Sequence, residues 1–169
     1  VNILIEKSDV TWLVQSHKGF SLFNYDICVD WAIDLLQKEI VKDNIQMLSA
    51  FSKPTDAWEI KPFVSKVLKE FNLEEFKGEK AVQSRSYYYI QKIVNGENNV
   101  LSCLEKLTRI CVESEYEKNV YPFYLLYYSW GDLEDFKMSS HYQNFTFSNF
   151  NETVLKEAKI WIANFENLK

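Results

Sequence analysis

Apolar residues recur every three to four positions along most of the chain, the interval that gathers them on one face of a helix. From about Tyr25 to Ile40, Ile27, Trp31 and Leu35 follow one another at steps of four, with Cys28, Ala32 and Leu36 beside them and Asn24 placed to cap the start. After a break at Lys42-Asp43 a second helix carries Ile45, Leu48 and Phe51, with Asp43 as its cap and Pro54 as its stop. Trp58 to Phe71 is the third, its stripe made of Phe63, Val67, Leu68 and Phe71; Pro62 fits if it lies in the first turn, where a missing N–H costs nothing. A fourth runs from Glu79 to Asn95 with Val82, Tyr89, Ile90 and Ile93, and Gly96 follows as a left-handed terminator.

The fifth helix has the clearest period: Val100, Leu104, Leu107 and Cys111 stand at i, i+4, i+7 and i+11, with Cys103 and Ile110 alongside. Val120 to Trp130 is aromatic on most sides, with Pro122 near its start and Gly131 at its end. Residues 137–149 hold no sustained period and read as a loop with an extended stretch at Phe145-Thr146-Phe147. A last helix carries Val154, Ala158, Trp161 and Phe165, and Asn149 and Glu152 have the spacing of a capping box. The expectation is an all-α chain, one domain over residues 1–169, built as a helical bundle or a short stack of helical hairpins with six to seven helices. An echo between Asp43-Asn44-Ile45 and Asn98-Asn99-Val100 suits either a repeated hairpin or two unrelated helix starts.

Composition narrows the class further. Only four glycines and three prolines in 169 residues is little punctuation, which favours helices over a β-sandwich. A net charge of −5 without a basic stripe argues against nucleic acid as a partner. The opening run Val1-Asn2-Ile3-Leu4-Ile5 stops at Glu6-Lys7, and no segment approaches the ~20 apolar residues of a membrane span, so a cytoplasmic protein without membrane contact is expected. Cys28, Cys103 and Cys111 form no CxxC pair and fall on apolar stripes, where a thiol is inert.

The chemistry of an enzyme is not spelled out anywhere in the chain. Gly19, Gly78, Gly96 and Gly131 stand apart, so no phosphate-cradling loop forms. His17 and His141 with three scattered cysteines do not have zinc-site spacing. No cofactor, no metal and no catalytic residue is therefore expected, and the two histidines read as surface or hydrogen-bonded structural groups. Asp132 with Asp135 would suit acid–base work only inside a cleft.

One region has the composition of an interface. Glu113, Glu115 and Glu117 precede the aromatic segment, and Asp132, Glu134 and Asp135 follow it. If the two acidic groups lie at neighbouring helix ends, they flank Tyr121, Tyr124 and Tyr128 as a charged rim around aromatic anchors. The alternative is a buried aromatic helix with ordinary charged termini.

The order of elements also resembles a family. The helix Trp31-Ala32-Ile33-Asp34-Leu35-Leu36, the segment Ile45-Gln46-Met47-Leu48-Ser49-Ala50, Glu59-Ile60 with Leu68-Lys69-Glu70-Phe71, and the break Ile93-Val94-Asn95-Gly96 are similar to uncharacterised helical bacterial proteins encoded beside polymorphic contact-dependent toxins. The resemblance spans residues 25–136 and departs at Glu39-Ile40-Val41-Lys42, where a glycine is expected after the first long helix. It implies a small cytosolic immunity protein that neutralises a toxin by binding it, often over an active site. The net charge of −5 is compatible with a basic toxin domain as that partner, and a monomer or weak homodimer is expected. Two other readings compete with it: a helical-repeat adaptor holding a peptide in a groove, and an enzyme whose site is assembled from dispersed acidic and tyrosine residues.

Overall fold

A computed structural model describes residues 9–97, 99–139, 141–142 and 144–166. The opening run Val1–Lys7 and Asn98 of the internal echo lie outside the described residues. Within them the chain forms eight helices and no strand: α1 (Asp9–Gln15), α2 (Asp26–Gln37), α3 (Asp43–Ser49), α4 (Ala57–Glu70), α5 (Gly78–Asn95), α6 (Val100–Glu113), α7 (Tyr121–Phe136) and α8 (Phe150–Glu166). The all-α expectation holds at that level, and the count is eight rather than six to seven. The chain divides within α5 into two compact units, Val1–Ser84 and Arg85–Lys169. Among the described residues no helix is long and apolar enough to cross a membrane.

The additional helix is α1. Thr11, Leu13, Val14 and Gln15 are buried and Val10 and Trp12 half-buried, so this stretch has no exposed polar face to set a period. The first unit closes around Val14, Trp31, Leu35, Ile45, Leu48, Ile60, Val64 and Leu68. Trp31 donates its Nε1–H to Thr11 Oγ1 at 3.2 Å, which ties α1 to α2 through the core. The chain must also pass close to α5 after α1: a Cβ on Gly19 would stand 2.2 Å from the Ala81 Cβ, so only glycine fits there.

Helix starts depart from expectation in three places. Asp43 is the first residue of α3 rather than its cap, which is Lys42, and so acts as a negative charge at the helix's positive end. Pro62 is the sixth residue of α4, past the first turn, and withholds a donor from the Trp58 carbonyl; Trp58 and Pro62 are both solvent-exposed, so water can take that place. Asn149 precedes α8, but its side chain turns back into the loop, where Oδ1 accepts from Thr146 N–H at 2.8 Å and Nδ2 donates to the Asn144 carbonyl. By contrast Asp56 and Asn99 cap α4 and α6, each accepting two backbone N–H groups. The cap position of α2 is Tyr25; Asn24, one residue before it, accepts from Asp26 N–H at 3.1 Å.

Helix ends follow one scheme. After α2, α4, α5 and α6 the chain enters the left-handed region at Glu39, Asn72, Gly96 and Glu115, with φ of 60°, 55°, 66° and 56°. At the first of these the Ile40 N–H reaches back to the Leu35 carbonyl and Glu39 N–H to that of Leu36, both at 3.0 Å; the other three repeat the pair. This is the Schellman closure, which satisfies carbonyls a helix leaves open and favours glycine at the left-handed position. Gly96 fills it as expected. At Glu39 the geometry a glycine would serve is present, and glutamate adopts it.

The second unit packs α6 on α7 and α7 on α8. Cys103, Leu104, Leu107, Ile110 and Cys111 line the buried side of α6, and Val154, Ala158, Trp161 and Phe165 that of α8. Gly131 does not end α7. The helix continues five residues further, to Phe136, and stops where Lys137 takes a φ of 62°. A glycine in a helix interior costs about 0.5–1 kcal/mol relative to alanine, so the longer apolar contact through Leu133 outweighs that signal. All three cysteines are free and buried; burial raises each thiol's pKa, that of Cys111 to about 11, with the Glu117 carboxylate adding to the effect.

Candidate functional site

Amphipathicity decides between the two readings of the aromatic segment. One side of α7 buries Phe123, Leu126, Ser129 and Leu133. The opposite side carries Tyr121, Tyr124, Tyr128, Gly131 and Asp135, at i, i+3, i+7, i+10 and i+14, which is a continuous stripe along a helix. Tyr121 is 40% exposed and Tyr128 47%, with Tyr124 half-buried between them. The helix is thus a core element and a solvent-facing aromatic surface at once.

The rings form a ladder. Tyr121 and Tyr124 stack at 5.6 Å between centroids with planes 14° apart, and Tyr124 meets Tyr128 at 4.7 Å. Tyr127 abuts Tyr128 edge-on at 5.6 Å. The Schellman turn after α6 adds a fifth ring: Tyr116 N–H donates to the Cys111 carbonyl at 2.8 Å, and the Tyr116 ring packs edge-on against Tyr124 at 5.4 Å. Desolvation by this packing, then the neighbouring Tyr116 and Tyr128, raises the Tyr124 phenol's pKa. Aromatic pairs of this geometry hold one another in place, so the ladder is ordered before anything binds it.

The acidic residues do not sit at neighbouring helix ends. They mark opposite ends of the same helix, α7, with Glu113, Glu115 and Glu117 before it and Asp132, Glu134 and Asp135 in its last turns. Glu115 and Asp135 are exposed and Asp132 half-buried. Glu117 serves structure, accepting from Asn119 N–H at 2.9 Å and from Asn119 Nδ2 at 2.7 Å at the approach to α7. Glu134 lies about 120° around the helix from Tyr128, given about 100° per residue, so it stands off the stripe. From Glu113 to Asp135 there are six carboxylates and one cation, Lys118. Three of the carboxylates occupy the negative end of the α7 dipole, with no basic residue in the last turn. Taken alone that placement is unfavourable by about a few tenths of a kcal/mol each; Lys137, the C-cap, offsets part of it, its Nζ donating to the Glu134 carbonyl at 3.3 Å.

The chain matches no family model, no curated protein and no solved structure. The site therefore stands on its geometry.

A second cluster lies in the first unit and joins residues far apart in sequence. His17 is buried; its Nε2 is 2.7 Å from Glu75 Oε2 and its Nδ1 is 3.1 Å from the Tyr25 hydroxyl. Because a carboxylate only accepts, Nε2 carries the proton, and Nδ1 of the neutral ring accepts from Tyr25. Glu75 also accepts from Lys18 Nζ at 2.9 Å and from Ser65 Oγ at 3.0 Å. Burial lowers the His17 pKa despite the Glu75 carboxylate beside it. Glu75 is itself held below the usual carboxylate range: its partners Lys18, His17 and Ser65 outweigh the desolvation that opposes them. Around it, Gln15 Nε2 donates to the Glu74 carbonyl at 3.0 Å and Phe76 N–H to the Gln15 carbonyl at 2.8 Å. The cluster thereby laces the 74–76 segment to the end of α1. A shallow groove of about 530 Å³ runs past Ser65, Lys69, Asn72 and Glu75.

His141 is exposed in the turns after α7, where its N–H donates to Ser139 Oγ at 3.2 Å. Among the described residues no three His, Cys, Asp or Glu side chains converge as metal ligands.

Proposed function

We propose that this protein is a binding protein of the immunity type, and that the solvent face of α7 engages a basic protein partner such as a toxin domain. One observation carries the reading: a pre-packed tyrosine ladder lies on the outer side of a helix whose inner side is anchored in the core. Tyrosines held in that way bring large contact area at small entropic cost on binding. The carboxylates support the sign of the partner's charge. Asp132, Glu134 and Asp135, crowded toward the negative end of α7, favour a positively charged surface over a neutral one.

The proposal includes the finer reading of the fold as a helical bundle or short stack of hairpins, favoured by the packing of successive helices α2 on α3 and α6 on α7. It also places the protein in the cytoplasm, where the implied toxin would be met. The complex is expected to be 1:1, of nanomolar or tighter affinity, and weakened by salt as its steering charges are screened. The test is affinity capture from the native host with the wild-type chain and with Tyr128→Ala as parallel baits. A single stoichiometric basic partner held by the first and lost by the second supports the proposal; equal recovery on both baits, or no stoichiometric partner, refutes it.

A further inference from the structure

Two large apolar side chains stand bare where α7 ends. Phe136, its last residue, is 70% exposed, and Met138, two positions on, is 68% exposed. An apolar residue exposed singly needs no explanation, but a neighbouring pair does. Two residues of chain span at most about 7 Å, so these two stay close whatever the turn between them. Lys137, which separates them in sequence, is engaged at the helix end: its Nζ donates to the Glu134 carbonyl at 3.3 Å and lies 5.8 Å from the Phe147 ring centroid. Helical spacing joins the pair to the tyrosine face. Asp132 follows Tyr128 by four residues and Phe136 follows Asp132 by four, each step linking side chains on successive turns, with Asp135 next to Phe136.

We propose that Phe136 and Met138 are apolar anchors for a basic, amphipathic segment of the protein partner, whose apolar side chains cover the pair while its lysines or arginines meet Asp132 and Asp135. This rests on the outer face of α7 being the binding surface, and it extends that face by one turn. Charge selects the occupant. A second copy of this chain would bring the same carboxylates against themselves, and an anionic lipid surface would be repelled by them, whereas a basic segment is complementary. An unbranched methionine beside a phenylalanine suits such an occupant, because its flexible thioether fits itself to the side chain it meets.

The chain's two methionines provide the test. Met47 is also exposed but belongs to the first unit, so it serves as an internal control. Isotope-labelled methionine methyl groups of the full chain are followed by NMR, with the Met138→Leu variant assigning the signals. The probes are a synthetic amphipathic peptide of leucine and lysine and a shuffled peptide of the same composition whose leucines share no face. The amphipathic peptide is expected to move the Met138 signal and leave that of Met47 in place. It is expected to bind at least about tenfold more tightly than the shuffled one, and to lose about tenfold in Phe136→Ser and in Asp132→Asn/Asp135→Asn. A still Met138 signal, equal movement of both methionines, equal affinity for the two peptides, or undiminished binding by Phe136→Ser would overturn the anchors. The tyrosine face is judged separately with the captured partner: full affinity for Phe136→Ser with loss in Tyr124→Ala/Tyr128→Ala would discard the anchors and keep that face, and the reverse pattern would keep the anchors and discard the ladder.

Discussion

Replacing Glu39 by glycine should stabilise the protein. Glu39 holds a φ of 60° as the left-handed residue of the closure after α2, with its side chain in solvent. An L-residue in that region costs roughly 1–2 kcal/mol, which glycine avoids. Against this, glycine makes the unfolded chain more flexible and returns about 0.4–1 kcal/mol of the gain. The net is a stabilisation of about 0.5–1 kcal/mol, worth roughly 1–4 °C in Tm for a chain of this size. The hydrogen bonds of the turn, Ile40 N–H to Leu35 and Glu39 N–H to Leu36, are backbone bonds and survive the change. Thermal and urea unfolding followed by circular dichroism would measure it, with Glu39→Ala as the control. Alanine keeps the Cβ that causes the strain and removes the charge, so it should leave stability within a few tenths of a kcal/mol of wild type. A destabilised Glu39→Gly, or an equal gain in Glu39→Ala, would refute the conformational argument and point to charge instead.

Two more perturbations probe the first unit. Gly19→Ala places a Cβ 2.2 Å from that of Ala81 and 3.3 Å from the Ser16 carbonyl, so it should lower the urea midpoint by the equivalent of about 1–3 kcal/mol; an unchanged midpoint would contradict the close approach. The buried His17 has its folded pKa below the unfolded 6.5, so the unfolded chain takes up the proton first as pH falls. Its contribution is complete above pH 6.5 and declines as pH drops through the folded value. Glu75, also depressed, adds loss below about pH 4.5. His17→Gln should therefore flatten the decline in stability just below pH 6.5 seen by urea titration, and an identical decline in the variant would show that His17 is not its source.

Much of the fold was legible because most helices here are amphipathic. The stripes of Ile27-Trp31-Leu35 and Val100-Leu104-Leu107-Cys111 mark one face each, half-buried at Ile27 and Val100 and buried beyond them, and their periods located α2 and α6. α1 escaped for the opposite reason, since residues 10–15 are all buried or half-buried and offer no polar alternation to read. Gly131 and Pro62 misled as boundary marks because a breaker costs a kcal/mol or a few, and burial of Leu133 or of Val64, Val67 and Leu68 offsets it. Glu39 and Glu115 were silent as terminators, because a turn that prefers glycine tolerates glutamate at a small cost.

The site was half readable. Tyr121, Tyr124 and Tyr128 carry their spacing in the sequence, but cutting the helix at Gly131 hid that Asp135 continues the same stripe and that the acidic groups cap one helix rather than two. Tyr116 could not be placed, because its position depends on the left-handed turn it shares with Glu115. Nor could the His17–Glu75 contact be foreseen: 58 residues separate the two, and no local period links them.

The central claim is that the α7 tyrosines carry the binding energy. Its most direct test is calorimetric titration of the captured partner into wild-type protein and into the Tyr124→Ala/Tyr128→Ala double variant, with circular dichroism confirming that both are folded. Buried aromatic anchors lose about 2 kcal/mol or more on truncation, so the account predicts 1:1 binding weakened at least about thirtyfold in the variant. Equal affinity for the two proteins would contradict it.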